Sequence, residues 1–356
     1  MEPLRVIDSD THVDETEATW EYIPPEEQAL KPIPVGDPAP GGKRYWLIDG
    51  LRFARPSRDD NLTKTTAVTR ELLDVPARLR HMDELGVEVQ VIYPTIFLQN
   101  MAERPEVELS ITRSYNRWIA NRTALSTGRL RWIFLPSLRN LETTIEDLRW
   151  AKNHGACGVL KKDDREADHN IYEPYFFPLY EEAERLHMPI CVHSGSGRSQ
   201  ALVKAVRGDD NPGFSRLGEA RVADGIYEII AGNVPARFPE LRFGAIEAGA
   251  SWLPLIAHKL RRAVARAHLF PNERPQDVSF EGNRLYVTCH VDEDFPMLLR
   301  YISEDNLLVG SDYSHQDFSQ EINFTSSLQE LADQEILSPE APRKIMHDNA
   351  KTFYGL

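Results

Sequence analysis

The sequence predicts an α/β protein folded as a (β/α)8 TIM barrel, with an insertion after the first strand. Three observations lead there. Eight short runs rich in apolar and β-branched residues recur along the 356 residues, separated by longer segments of helical period. Strict βα alternation favours a parallel sheet, and eight units favour its closure into a barrel. The first run is not followed by the Gly-rich phosphate loop that a doubly wound sheet usually carries.

The strand candidates are RVIDSDTH from Arg5, VQVIYPT from Val89, LRWIFLPSL from Leu130 and CGVLKK from Cys157. They continue with PICVHSG from Pro189, LRFGAIEAG from Leu241, RLYVTCHV from Arg284 and NLLVGSDYSH from Asn306. Between them VPARLRHMDELG, LETTIEDLRWAKNHG and EPYFFPLYEEAERLH place apolar residues at three- and four-residue spacing, as amphipathic helices do. Two of these end at Gly, a common helix stop. The closing SPEAPRKIMHDNAKTFYGL reads as a final packed helix. Residues 20–74 break the pattern, being rich in Pro and Gly without clear period, and read as an insertion within a single domain spanning 1–356. Lys31 to Arg70 holds eight Lys or Arg against four Asp in an otherwise acidic chain. That stretch reads as a solvated lid or dimer arm, or as an electropositive patch over the barrel mouth for an anionic substrate handle.

Composition narrows the function classes. A net charge of −14 argues against a nucleic-acid surface, which needs a basic face. No apolar run approaches the roughly 20 residues of a membrane span, and MEPLRVIDSD has neither part of a signal peptide. Cys157, Cys191 and Cys289 each lie in an apolar run, unpaired and unclustered, as buried reduced thiols of a cytoplasmic protein would.

Barrel chemistry sits at the C-terminal strand ends, so the polar residues there carry the weight. Strand one ends in Asp8, Asp10 and His12, which share a face at a spacing of two, with Glu15 following. Asp10 and His12 read as metal ligands; Asp8 reads equally as a hydrogen-bonding group near the barrel floor. His193 ends strand five. Glu247 ends strand six, where a carboxylate in an apolar run needs a partner or a cation. In strand seven, Tyr286, Thr288 and His290 face the lumen, which puts His290 at the mouth as ligand, acid–base group or hydrogen-bonding support. Strand eight supplies Asp312 and, one short turn later, His315. Lys161 and Lys162 end strand four, exposed or facing a substrate anion.

DSDTH, VHSG, IEAGASW, GSDYSH and the terminal HDNAKTFYGL resemble the amidohydrolase-related TIM-barrel family, which includes metal-dependent aromatic decarboxylases. The resemblance implies metal ligation by Asp10, His12, His193 and Asp312. Two positions depart from the pattern: Asp10 stands for the first ligand of the strand-one pair, and Glu247 for the strand-six His that the decarboxylases use. The set Asp10, His12, Glu15, His193, Glu247, His290, Asp312 and His315 exceeds what one zinc with an open position needs, so two metal ions are expected. Mixed carboxylate and imidazole ligands suit non-haem iron, with zinc or manganese as alternatives.

The D-x-H-x-x-E opening and acidic strand six are similar to a branch of that fold, the non-haem di-iron monooxygenases of platensimycin and platencin antibiotic biosynthesis. That resemblance implies an oxidoreductase hydroxylating a terpenoid-like, CoA-linked small molecule with O2, and a homodimer. The alternative is a metal-dependent hydrolase or non-oxidative decarboxylase, with metal-bound hydroxide as nucleophile and Asp312 moving the proton. His290 is the second candidate catalytic residue. A barrel that only binds a ligand is the non-enzymatic reading.

Overall fold

The computed structural model describes residues 5–37, 43–162, 165–195, 218–269, 274–316, 319–321 and 323–356. Eight parallel strands form one sheet: β1 (Val6–Val13), β5 (Val87–Pro94), β6 (Leu130–Phe134), β7 (Ala156–Lys162), β8 (Ile190–His193), β9 (Phe243–Ile246), β10 (Leu285–Thr288) and β11 (Leu307–Leu308). Every strand expected from the sequence is among them. Each neighbours the next in that order, as right-handed βα units require.

β11 has only two ladder residues, so β1 is met by an irregular seam. Ser9 N donates to Val309 O, Asp312 N to Asp10 O, and His12 N to Tyr313 O, at 2.9–3.0 Å. Asp8 locks that seam: Ser311 donates to it from both its backbone N (2.8 Å) and its hydroxyl (2.6 Å). The hydrogen-bonding reading of Asp8 is the one these contacts match. Gly310 makes the approach possible, since a Cβ there would lie 2.3 Å from the Asp10 Cβ.

The helices follow the periodicity. Val75–Leu85 starts at Asp74, whose carboxylate accepts from Ala77 N, and ends at Gly86. Leu141–Asn153 and Phe177–Arg185 pack on the outside, burying Leu148 and Ala151, and Leu179 and Tyr180. The final segment is helical in three pieces, Ala341–Arg343, Lys344–Asp348 as one wide turn, and Asn349–Tyr354. Its Phe353 and Tyr354 plug the barrel floor, where Tyr354 donates to Ser9 O at 2.7 Å and its hydroxyl lies 2.9 Å from that of Tyr93.

The insertion is more ordered than its composition suggests. It folds into a small antiparallel sheet, β2 (Ile33–Gly36), β3 (Arg44–Ile48) and β4 (Leu51–Ala54), which buries Trp46, Ile48 and Phe53. Residues 38–42 of it lie outside the described residues.

Candidate metal centre

The strand ends bring six of the eight candidate donors together. Asp10 and His12 come from β1, where alternate residues point to one side, and His193 is the last residue of β8. Glu247 follows β9, and Asp312 and His315 follow β11. Two groups of possible ligands result: Asp10, His12, His193 and Glu247, and His12, Glu247, Asp312 and His315. Within each, one donor atom per residue lies within 4.8 Å of all the others.

The imidazoles are held by their far nitrogens. His12 Nδ1 is 3.1 Å from Pro94 O and His193 Nδ1 is 2.8 Å from Ser194 O. A carbonyl can only accept, so each Nδ1 carries a proton and each Nε2 faces inward, where its lone pair is the one a cation would take. His12 Nε2 stands 3.3 Å from Asp10 Oδ1, 3.4 Å from Glu247 Oε2 and 3.4 Å from Asp312 Oδ1. His193 Nε2 stands 3.4 Å from Asp10 Oδ1 and 3.3 Å from Glu247 Oε2. Four ligands about 2.1 Å from a tetrahedral ion are roughly 3.4 Å from one another. Four of the six distances among Asp10, His12, His193 and Glu247 therefore match the edges of such a cage, and the other two lie within 4.8 Å. His12 Nε2 and Glu247 Oε2 are buried without a hydrogen-bond partner among the described residues, as atoms waiting for a cation would be. The residues fit a divalent metal.

The electrostatics agree. Burial alone opposes ionisation of Asp10, but the His193 and His12 rings outweigh it and hold its carboxyl below the ordinary range. Burial likewise opposes charge on His12 and His193; Asp10 and Glu247 override it and raise both. Glu247 is raised by burial and then by Asp312. Carboxylates crowded out of water draw protons onto their neighbours, and a cation would take the place of those protons.

Two of the donors have strained backbones. Glu247 has φ 53° and Asp312 φ 51°, the left-handed region that non-glycine residues seldom occupy. Strain of this kind persists where a side chain must be aimed. Asp312 Oδ1 lies 2.7 Å from His315 Nδ1, and its Oδ2 accepts from Ser319 Oγ at 2.7 Å. The His315 ring stacks on His12 at 3.9 Å, and its Nε2 is 3.2 Å from Thr95 Oγ1.

Glu15 and His290 stand apart from both groups among the described residues. The Glu15 carboxylate accepts from the backbone N of Thr95 (3.0 Å) and Ile96 (3.2 Å), and burial pushes its pKa up to about 8. It braces the turn after β5. His290 instead lines an open cleft of about 780 Å3 beside the centre, with Trp252, Leu255 and Ile256 as its apolar wall. Lys161 and Lys162 are not solvent-exposed; both pair with the buried Glu166. Three of the insertion's arginines are paired, mostly with the segment that precedes it: Arg55 with Glu17, Arg58 with Asp14, and Arg70 with Asp14 and Asp60. Sequence reasoning gave no place to Thr95 or Ser319, and a Thr or Ser in a loop carries no signal that it meets a donor. The last residues of CVHSGSG, Ser196 and Gly197, lie outside the described residues.

No helix among the described residues is long and apolar enough to cross a membrane. The chain is similar over its full length to an amidohydrolase from Mycobacterium avium subsp. paratuberculosis K-10, at 19% identity and TM-score 0.79, covering 100% of both chains. It is similar to 5-carboxyvanillate decarboxylase from Sphingomonas paucimobilis at 16% identity and TM-score 0.71, covering 99% of each. A dihydroxybenzoic acid decarboxylase from Polaromonas sp. JS666, solved with manganese and 2-nitroresorcinol, matches at 16% identity and TM-score 0.66, covering 99% of this chain and 97% of that one. At these identities the likeness is one of fold. The family profile described as amidohydrolase matches residues 7–356, and the chain belongs to the amidohydrolase family.

Proposed function

We propose that the protein is a dinuclear metalloenzyme, with iron as its metal, that hydroxylates an apolar small molecule with O2. The observation that carries this reading is the pair of donor groups sharing Glu247 and His12. His12 Nε2 has one lone pair and serves one ion, whereas the two oxygens of Glu247 can serve both. Three carboxylates and three imidazoles without a thiolate form the kind of set that non-haem iron takes. Bound there, the metal would supply dioxygen activation. Overall, one oxygen atom enters a C–H bond and the other leaves as water, with two electrons and two protons from an external reductant.

The chain's own residues have separable tasks. Asp10, His12, His193 and Glu247 hold the first ion. Asp312 and His315 complete the second group, and the other oxygen of Asp312, which accepts from Ser319, can take up and pass on a proton. The open cleft walled on one side by Trp252, Leu255 and Ile256 accepts an apolar body against that wall. Its rim carries Asp224, Asp292 and Asp294, so a CoA carrier would run the other way, over the exposed Lys43, Arg44 and Lys64 of the insertion. A terpenoid-like acyl group on CoA, as in the platensimycin-type branch, is the substrate class proposed, acted on by a cytoplasmic homodimer.

A second reading, non-oxidative decarboxylation or hydrolysis at one metal, is favoured by the first cage standing complete by itself and by the decarboxylases among the solved structures of this fold. There Asp312 would move the proton of a metal-bound water. Glu247 argues for the first reading, because its two oxygens can serve two ions where a one-metal site needs only one. The deciding experiment is metal analysis of anaerobically purified protein together with turnover in the presence and absence of O2. Two irons per chain and O2-dependent product are expected. Full activity with one zinc, or undiminished product without O2, overturns the proposal in favour of the second reading.

A further inference from the structure

A second, narrower cavity of about 30 Å3 lies among the segments that follow β5, β6 and β7. Two of its wall residues are tied by register or by sequence to the neighbourhood of the centre. Lys162, in its wall, is the register partner of His193. Phe97, also in its wall, lies two residues past Thr95, whose hydroxyl meets His315.

Its charges are balanced and its one unmet need is an acceptor. Arg139 meets Glu108 at 2.7 Å and Glu103 at 3.8 Å, while Lys161 and Lys162 share Glu166. In the wall itself Arg139 and Lys162 thus answer Glu108 and Glu166. Asn100 is 8% exposed, and its Nδ2 is buried with no hydrogen-bond partner among the described residues. A buried donor left unmade costs about 1–3 kcal/mol. A loop with freedom to turn that amide outward would do so unless something accepts from it.

We infer that this cavity is a recognition subsite for a neutral oxygen acceptor, the carbonyl of a ketone, ester or thioester borne on an apolar body, with Asn100 as its donor. A carboxylate is the wrong guest, because it would leave one uncompensated charge among paired ones. The volume sets the size: a water needs about 10–15 Å3 on this measure, so the cavity admits a functional group and leaves the apolar body outside it. The inference deepens the proposed function by naming the group that orients the substrate. It rests on that reading only for where the reaction occurs.

The test uses the full-length metal-loaded protein, 15N-labelled at asparagine, titrated with cyclopentanone and separately with cyclopentanecarboxylate. Cyclopentanone is expected to shift the Asn100 side-chain NH2 resonance saturably. Asn100→Leu should weaken cyclopentanone binding at least about tenfold, with metal content unchanged and the ligand-free Tm no lower. The carboxylate should bind at least about tenfold more weakly than the ketone. Should Asn100→Leu misfold, Asn100→Asp replaces it, since an acceptor facing a carbonyl must repel it. An unshifted resonance would mean the cavity holds water only and overturns the inference, as would equal binding of ketone and carboxylate or a variant that binds like the wild type. Metal content, read in the same samples, tests the proposed function independently of the subsite.

Discussion

Glu247 and Asp312 hold their carboxylates in place against their own backbones. For an L-residue the left-handed region costs roughly 1–2 kcal/mol, and Glu247 adds a buried charge that Asp312 repels. Glu247→Gly should therefore raise the stability of the metal-free protein by about 1 kcal/mol in urea unfolding, while removing its ability to retain metal. A metal-free variant less stable than the wild type would mean that Glu247 supports the fold rather than a cation. The sharing of donors gives a second expectation. His315 belongs to one group only, while Glu247 belongs to both and has an oxygen for each ion. His315→Ala should keep about one ion per chain and Glu247→Ala none, by elemental analysis; equal loss in the two would contradict the division. Strand period tells that Asp10 and His12 share a face, and the barrel brings the ends of the other strands to meet them. Past a strand end a turn decides direction, so the sequence could not tell that Glu247, Asp312 and His315 turn toward that point while Glu15 and His290 stand apart.

At the scale of elements, β7 ends in a buried ion pair that the spacing of Lys161 and Lys162 could not reveal, because Glu166 sits in the following loop. Burial raises the Glu166 pKa, but Lys161 and Lys162 outweigh it and bring it from 4.5 to about 2. A carboxyl depressed on folding contributes stability above its unfolded pKa and loses it as pH falls toward the folded value. That contribution, on the order of 3 kcal/mol, should be whole above about pH 5 and fade between pH 4.5 and 2. Glu166→Gln should accordingly be much less stable than wild type at pH 7, with a gap that narrows steadily on acidification in chemical unfolding. A gap independent of pH would show that the pair does not carry this energy. The main strands were readable because β-branched runs bounded by turns have little else to become. The insertion was not: β2 contains Pro34 and Gly36 and is mostly exposed, so its sequence looks irregular, yet an edge strand tolerates both residues. Pairing with β3, at the other end of a loop, decides it.

For the molecule as a whole, the weak point is the closing seam. The ladder between β10 and β11 spans two residue pairs, and β11 reaches β1 through three irregular backbone bonds and the Asp8–Ser311 contact. The candidate ligands straddle that seam, Asp10 and His12 on one side and Asp312 and His315 on the other, so a metal would staple the barrel shut as well as serve chemistry. Binding the folded state alone at a hundred times Kd adds about 2.7 kcal/mol per site. For a chain of this size that corresponds to a Tm rise of roughly 4 °C or more. Chelation should reverse it, and the loss should be local. Backbone amides of Ser9, His12 and Asp312, which bridge the seam, should exchange with solvent faster by about a hundredfold once the metal is gone. Those of Val159 and Ile190, in the long ladders between β7, β8 and β9, should keep their protection, because nothing there depends on a cation. Exchange that speeds up equally around the barrel would mean the metal stabilises the fold without closing it. Exchange unchanged at the seam would mean that the backbone bonds and Asp8 hold the circle alone, and that the crowded carboxylates are tolerated for chemistry only.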